Sequence, residues 1–278
     1  MRVAAVQLNS NEDKQRNLAT ADRLTRAAAA DGAALVLLPE KWTALGTHED
    51  YVRAAESLEA PGPAIEWASR TARELGIDLV AGSISERREG RDKLGNTSIH
   101  FGPDGEQKAL YRKIHMFDVV VGGIEYRESE SEDPGEEIVL SETREGVPLG
   151  MTVCYDLRFP ELYRILAIRG ARILLVPAAF TKITGQAHWE LLIRARAIEN
   201  QAFVIAADQI GRHPDDKESF GGSMIVDPWG EVLARAPDEE TFISADLDFA
   251  RQDEVREQLP SLANRMPTTY AWPQEVSA

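Results

Sequence analysis

The chain contains a single cysteine, Cys154, in the segment MTVCYDLRFPEL. An apolar stretch typical of a buried strand precedes it, and Pro160 is well placed to be the first residue of a helix. A cysteine between a strand and a helix N-terminus can face a pocket as a nucleophile, and the helix dipole favours its thiolate. A lone cysteine on an apolar strand is more often an inert buried side chain, so other residues must decide between the two interpretations.

Two charged residues occupy comparable positions. Glu40 directly follows the apolar run LVLLP, and Lys113 lies at the end of a strand-like segment, ALYRKIH. A carboxylate at the end of a buried strand can act as a general base, and an ammonium group can stabilise both a thiolate and an oxyanion. With Cys154 they form a complete set for acyl transfer: base, cation and nucleophile. Taken singly, Glu40 could be a turn cap and Lys113 a solvent-exposed lysine.

The sequence gives little support to other chemistries. None of the histidines adjoins a segment typical of a Cys–His dyad; they are His48, His100, His115, His188 and His213. His188 and Glu190 lack the spacing of a zinc-binding helix, and a single cysteine excludes a cysteine-rich metal cluster. Neither a P-loop nor a dinucleotide-binding glycine motif follows a strand. We therefore expect no metal and no cofactor.

Helix and strand signals alternate along the chain, which is typical of an α/β fold. A β-α-β-α-β order occurs twice, over residues 3–84 and 151–208, and a hairpin follows each copy. The segments GAALVLLP at 32–39 and GARILLVP at 170–177 match position by position. The pattern predicts an internally duplicated β-α-β unit and hence two similar sheets.

Strands such as LVLL and ILLV are apolar on both faces, so each sheet must be covered on both sides. Helices can cover one face of each sheet, and the two remaining faces can cover each other. We therefore predict a four-layer α-β-β-α sandwich that forms one domain over residues 1–278. A single doubly wound sheet with a β extension is the alternative.

Two stretches, at 117–136 and 211–221, do not match a helix or strand pattern, and we interpret them as long loops. Loops of this length in a compact domain are usually functional, although solvated acidic surface loops would have a similar composition. Residues 259–278 carry several apolar side chains and are interpreted as a C-terminal arm that packs on another surface, such as a second subunit.

Composition limits the possible partners. The 278 residues include 46 Asp and Glu against 31 Lys and Arg, a net charge of −15, with no concentrated basic patch, so nucleic acid is not an expected partner. The N-terminal apolar run at 3–6 is too short for a signal peptide, and no 18-residue apolar run occurs. We expect no membrane association and, from the absence of a disulfide framework, a cytoplasmic location.

Three motifs, in this order, resemble the nitrilase superfamily of carbon-nitrogen hydrolases: LLPEKW at 37–42, YRKIHMFD at 111–118 and VCYDLRFPEL at 153–162. The resemblance extends over almost the whole chain, and its later segments are most similar to the Nit-type amidase branch, in particular to amidases that act on deaminated glutathione. It implies a hydrolase with a small-molecule amide substrate, and a homodimer or larger homo-oligomer.

The resemblance also implies roles for individual residues. Glu40 is the general base and acid, Lys113 stabilises the oxyanion together with the backbone N–H of Tyr155, and Cys154 is the nucleophile. Members of this superfamily carry a second glutamate between the lysine and the cysteine; we assign it to Glu128, with Glu125 and Glu130 as competitors.

The implied reaction is hydrolysis of a linear carboxamide to a carboxylic acid and ammonia through a cysteine thioester, with deaminated glutathione as the first candidate substrate. An ω-amidase that acts on α-ketoglutaramate or a similar short monoamide is the second interpretation. A catalytically idle interaction scaffold is the third, and the intact set of Glu, Lys and Cys argues against it.

A substrate that carries carboxylates would need a local cation, because the net charge is strongly negative. Arg158, close after Cys154, could pair with a substrate carboxylate. It could equally pair with Glu161 or Asp156 and hold the helix start, which we favour slightly. Weaker candidates are Thr184, in the segment before a predicted helix, and Arg212 and His213, in the second irregular stretch.

Overall fold

The computed structural model describes residues 1–214 and 217–270. Its helices are α1 (Lys14–Ala30), α2 (His48–Ala54), α3 (Pro63–Leu75), α4 (Pro160–Ile168), α5 (Lys182–Asn200) and α6 (Phe249–Gln258). Short 3₁₀ helices cover Glu128–Glu130, Cys154–Arg158 and Pro267–Thr269. In this part of the chain, no helix is both long and apolar enough to cross a membrane.

The strands up to residue 127 are β1 (Arg2–Gln7), β2 (Leu35–Leu37), β3 (Asp78–Val80), β4 (Ile84–Glu86), β5 (Gly95–Phe101), β6 (Gln107–Arg112), β7 (Asp118–Val121) and β8 (Ile124–Arg127). The later strands are β9 (Leu140–Glu142), β10 (Pro148–Met151), β11 (Ile173–Ala178), β12 (Phe203–Asp208), β13 (Ile210–Arg212), β14 (Glu218–Phe220), β15 (Met224–Val226), β16 (Val232–Arg235) and β17 (Thr241–Asp246).

Two large sheets organise the molecule. Sheet I has the order β17-β1-β2-β3-β5-β4, with β6 also paired to β5, and sheet II has the order β16-β15-β12-β11-β10-β9. In each sheet three central strands are parallel, and antiparallel strands extend it on both sides. The run β1-β2-β3-β5-β6 of sheet I corresponds to β10-β11-β12-β15-β16 of sheet II, which confirms the predicted duplication.

The side chains of β1 and β2 show how the layers form. Val3 and Leu37 belong to the apolar core shared with sheet II, whereas Ala4 and Val36 belong to the core shared with α1 and α3. Alternate residues of one strand thus face opposite layers, as the pleat requires. On the far side of sheet II, α4 and α5 contribute to the same core. The four-layer α-β-β-α sandwich is therefore confirmed, and the single doubly wound sheet is excluded.

The strand predicted over 77–84 is interrupted. It divides into β3 and β4 at Gly82, whose φ of 46° lies in the left-handed region. A Cβ at this position would overlap the carbonyl oxygen of Pro39. The glycine therefore lets the chain pass directly against the end of β2, immediately before Glu40.

The two predicted long loops contain hairpins, so that part of the prediction is wrong. β7 and β8 pair within 117–136, and β13, which begins at Ile210, pairs with β14 in the second stretch, of which residues 215 and 216 lie outside the described residues. These strands lie outside the large sheets, and at three or four residues each they are too short for apolar alternation to identify them. Helix α5 also begins earlier than predicted, at Lys182, so Thr184 lies in its first turn rather than before it.

The predicted C-terminal arm at 259–278 is only partly described, because residues 271–278 lie outside the described residues. Between α6 and that point the chain contains a 3₁₀ helix, and Leu259, Met266 and Tyr270 are exposed. Whether a second subunit covers these side chains stays a prediction.

Helix α5 packs on the β13–β14 hairpin through Gly185, and this contact can be tested. Ala normally stabilises a helix interior by about 1 kcal/mol relative to Gly, but a Cβ at Gly185 would overlap the Phe220 side chain. We expect Gly185→Ala to reduce the free energy of unfolding by about 1–3 kcal/mol, measured by chemical denaturation. The control is Gln186→Ala, at an exposed position of the same helix, which should not be destabilising. An equally stable Gly185→Ala would contradict the close packing.

Candidate active site

Strand ends bring the candidate residues together. Glu40 follows β2, Lys113 follows β6, and Cys154 begins the 3₁₀ helix after β10. Together with Glu128 they line one cavity of about 260 Å³. Because β2 and β6 belong to sheet I and β10 to sheet II, the cavity lies where the two sheets meet.

The Lys113 ammonium group is the centre of a buried charge cluster. Its Nζ lies 3.0 Å from Glu40 Oε1 and 2.9 and 2.8 Å from the two carboxylate oxygens of Glu128. Burial alone would lower the pKa of Lys113, but Glu128 and Glu40 raise it well above its ordinary value. Lys113 is therefore a permanent cation.

The Glu40 carboxylate is held by two neutral donors as well as by Lys113. Asn96 Nδ2 donates to Oε1 at 2.8 Å, and the backbone N–H of Ala179 donates to Oε2 at 2.9 Å. Asn96 comes from β5 of sheet I, and Ala179 follows β11 of sheet II. Glu40 thus has one orientation, fixed from both sheets.

Cys154 is a buried thiol in a strained backbone position. Its φ of 49° is unusual for a residue with a side chain, and it directs the side chain toward Glu40, with which the thiol forms a hydrogen bond. Burial and the Glu40 charge raise the pKa of Cys154 well above its ordinary value. In the free site, desolvation and Glu40 thus favour the neutral thiol, contrary to the expectation that the nearby helix N-terminus would favour the thiolate.

Asp156 holds the turn that carries Cys154. Its Oδ2 accepts from Val153 N at 2.8 Å and from the Tyr111 hydroxyl at 2.6 Å, and its Oδ1 accepts from the backbone N–H of His115 at 3.2 Å. The ring Nδ1 of His115 is also 2.7 Å from Oδ1. Since Tyr111 lies in β6 and His115 just beyond Lys113, this buried carboxylate joins the nucleophile turn to the segment that carries the cation.

The structure separates the three candidates for the second glutamate. Glu128 lies against Lys113 and accepts from Phe117 N at 2.7 Å. Burial would raise the pKa of Glu128, but Lys113 and Lys41 lower it to about 2. Glu125 is instead paired with Arg127 at the surface, and no contact places Glu130 at Lys113.

The backbone N–H of Tyr155 lies in the first turn of the 3₁₀ helix that starts at Cys154. Such N–H groups have no partner within the helix, so this donor can serve an oxyanion, and that role stays a prediction.

Arg158 lies in the cavity, over the ring of Phe180 at 5.0 Å, with NH1 3.3 Å from His188 Nδ1. Within residues 1–214 and 217–270, no carboxylate pairs with it. The slightly favoured structural role, a pair with Glu161 or Asp156, is therefore wrong. Thr184 also lines the cavity, where its hydroxyl is 2.8 Å from that of Thr181.

The remaining two candidates, Arg212 and His213, lie in different places relative to the cavity. Arg212 is exposed and does not line the cavity. His213 lines it, but both ring nitrogens are engaged: Nδ1 donates to Ser10 O at 2.8 Å, so Nε2 accepts from the Ser219 hydroxyl at 2.9 Å. Burial lowers the pKa of His213, and the neutral ring supports the hairpin instead of offering a charge. Across the described ranges, no group of His, Cys, Asp and Glu is arranged to hold a metal ion.

One family of known proteins matches almost the whole chain. The carbon-nitrogen hydrolase family model matches residues 2–257. The chain belongs to the carbon-nitrogen hydrolase family. It is 41% identical over 263 residues to a deaminated glutathione amidase from Yersinia enterocolitica, covering 94% of this chain and 91% of that protein. It is equally 41% identical over 271 residues to an omega-amidase NIT2 from Xenopus tropicalis, covering 97% and 96%.

Among solved structures, the Nit3 protein of Saccharomyces cerevisiae, described as a member of branch 10 of the nitrilase superfamily, aligns with a TM-score of 0.86. The two chains are 34% identical, and the alignment covers 94% of each. The resemblance inferred from the three motifs is thereby confirmed.

The sequence did not reveal several residues that hold this carbon-nitrogen hydrolase site together. Asn96 and Ala179 orient Glu40, and Asp156 orients the nucleophile turn. Only Asp156 gave a signal, since it lies in the motif around Cys154. The contacts of the other two cross between distant segments, which no local pattern indicates.

The role of Asp156 in this hydrolase site can be tested with Asp156→Asn. Each of its oxygens accepts from a backbone N–H, of Val153 or His115, so an amide nitrogen on either side would face a donor. We expect a loss of about 2–4 kcal/mol in stability and a lower turnover, measured by thermal unfolding and steady-state kinetics. The control is Asp253→Asn, which removes only a surface ion pair with Arg172. Unchanged stability and turnover in Asp156→Asn would contradict this role.

Proposed function

We propose that this carbon-nitrogen hydrolase cleaves a linear carboxamide through a thioester on Cys154. The observation that carries the proposal is the contact of one buried carboxylate, Glu40, with both the thiol of Cys154 and the ammonium group of Lys113. Base, nucleophile and cation therefore meet in one cavity.

Acylation begins with proton transfer from Cys154 to Glu40, because the neutral thiol is the stable form in the free site. The thiolate attacks the amide carbon. The oxyanion is stabilised by Lys113 and by the backbone N–H of Tyr155. Lys113 has three donors, and two of them suffice for Glu40 and Glu128, which leaves the third for the oxyanion.

The leaving amine takes the proton that Glu40 has received. Glu40 then activates a water molecule, which hydrolyses the thioester and releases the acid. Glu128 stays ionised throughout, because its pKa is about 2, and its role is to fix the position of Lys113.

The acyl part of the substrate is proposed to carry a carboxylate. Arg158 is a cavity cation that lies against aromatic rings and has no carboxylate partner among the described residues. A cation in such a place can bind a carboxylate bidentately. Thr184, on the same cavity wall, can donate a hydrogen bond.

Deaminated glutathione is the first candidate substrate. The cavity extends to polar residues of two hairpins, Arg127 and Glu218 among them, which can contact a leaving group larger than ammonia. α-Ketoglutaramate is the second candidate, supported by the equal identity to an omega-amidase. The two compounds share their acyl part and differ in the amine released, which is a dipeptide for the first and ammonia for the second. The expected release of ammonia therefore applies only to α-ketoglutaramate.

Two further expectations remain predictions. A homodimer or larger homo-oligomer would cover the exposed Ile168 of α4 and Leu191 of α5, together with Leu259. A cytoplasmic location stays an inference from the sequence.

Amide hydrolysis is tested by measuring the common acid product from each of the two substrates. Loss of one oxyanion donor typically lowers turnover by about a hundredfold or more, so we expect that loss in Lys113→Met and complete loss in Cys154→Ala. Lys108→Met is the control, at an exposed side chain of the preceding strand. Near-normal turnover in Lys113→Met would show that Lys113 takes no part in the mechanism. If the unchanged protein forms no product from either substrate, the interpretation as a catalytically idle interaction scaffold is favoured.

The carboxylate subsite is tested separately with Arg158→Met. We expect the KM for both carboxylate substrates to rise by about tenfold or more, because a charge-assisted pair is lost. Hydrolysis of a short neutral amide, if detectable, should change little. If Arg158→Met lowers kcat/KM for charged and neutral amides by the same factor, carboxylate binding by Arg158 is contradicted. In the unchanged protein, a more than tenfold preference in kcat/KM for one substrate decides between the two.

A further inference from the structure

A second buried ion pair adjoins the cluster around Lys113. Lys41, the residue after Glu40, has a φ of 48°, and its Nζ lies 2.5 Å from Glu132 Oε1 and 3.5 Å from Glu128 Oε1. The two side chains of the pair, Lys41 and Glu132, are 8% and 1% exposed. The reaction derived above uses neither of them.

We propose that Lys41 and Glu132 are positioning residues that set the net charge of the cluster and, through Glu128, the reactivity of Cys154. The inference rests on the proposed roles of Glu40, Lys113 and Cys154. Lys41 lies within the motif LLPEKW, whereas Glu132 lies outside all three motifs.

The charges alternate along the cluster. In spatial order they are Glu132, Lys41, Glu128, Lys113 and Glu40. Glu128 is the shared member, because both ammonium groups contact it. In a buried site such charges interact strongly, so a change at one end alters the balance at the other.

The surroundings of the pair are defined. Tyr51 of α2 lies under Lys41, with Nζ 4.2 Å from the ring centroid. The charged groups that act on the pair are Glu40, Glu128 and Lys113. Burial raises the pKa of Glu132 to about 7, although Lys41 opposes this shift. Its Oε2 is buried and has no hydrogen-bond partner among the described residues.

The two members of the pair have opposite effects on Cys154. Without Glu132, Lys41 has only Glu128 as a close carboxylate and competes with Lys113 for it, so more of the Lys113 charge acts on Glu40 and the thiol. The thiolate then becomes easier to form. Without Lys41, the cluster is more negative, and the thiolate becomes harder to form.

The experiment measures the rate of Cys154 alkylation by iodoacetamide as a function of pH. Cys154 is the only cysteine of the chain, so the signal belongs to one thiol, and no substrate is needed. We expect the apparent pKa of alkylation to rise by about half to one unit in Lys41→Met and to fall by a similar amount in Glu132→Gln. One unit corresponds to about a tenfold change in rate at a fixed pH below that pKa.

Further variants separate electrostatics from folding. The double variant Lys41→Met with Glu132→Gln should return toward the unchanged protein, because both charges are removed together. Lys41→Arg should keep the profile. Lys93→Met is the control, since this exposed lysine contacts the same segment through Ser129 O but lies outside the cluster.

If the pair is only structural, removing either member disturbs Cys154 in the same way. Shifts of the apparent pKa in the same direction in both single variants, or no shift in either, would therefore overturn the proposal. If Lys41→Met does not fold, Glu132→Gln and Lys41→Arg alone decide. The expected alkylation shifts without hydrolysis of either amide would refute the proposed function and leave the electrostatic role intact.

Discussion

The buried ammonium group of Lys113 is the constraint around which the active site is built. A cation out of contact with water is strongly destabilising unless carboxylates and hydrogen bonds surround it, and here Glu40 and Glu128 provide both. Glu40 is in turn held by Ala179 of the other half of the molecule. Burial of the Lys113 charge therefore depends on how the two sheets meet, because the segments that carry its carboxylate partners must lie at the same end of both sheets. The four-layer sandwich supplies this arrangement because its packed strands leave only their ends free to line a cavity.

The same constraint determines how the nucleophile works. Cys154 is buried beside a carboxylate, which raises its pKa, so the free enzyme holds a neutral thiol and a ready base. In the proposed mechanism, reactivity then arises when substrate binds and the proton moves to Glu40, so a permanent thiolate is not required. The strained φ of Cys154 is maintained by the contacts of Asp156 with Val153 and Tyr111, which transfer the rigidity of the sheet to the turn.

The features that could be predicted from the sequence are those that a short, continuous segment of residues determines. The apolar strands that directly precede Glu40 and Cys154 can be recognised from consecutive residues. The repeat of GAALVLLP and GARILLVP predicts two equivalent sheets. Asn96 and Ala179 were not predictable, because their contacts join segments that are distant in the chain. The hairpins were missed because their strands, of three or four residues each, are too short to give a periodic signal. Arg212 was placed wrongly because β13 directs it to the surface.

The duplication also explains why the two halves are chemically different. Aligning the repeated segments places Ala178 at the position equivalent to Glu40. These two residues meet in the structure, where Glu40 N donates to Ala178 O at 3.4 Å, and Ala178 is fully buried. A second carboxylate at this position would be buried beside Glu40 without a cation of its own, and one of the two would have to hold a proton. Glu40 could then no longer serve as an ionised base for Cys154. The proposed role of Glu40 as a base therefore favours a neutral residue at the matching position of the other half, so the symmetry of the fold is broken at the candidate active site.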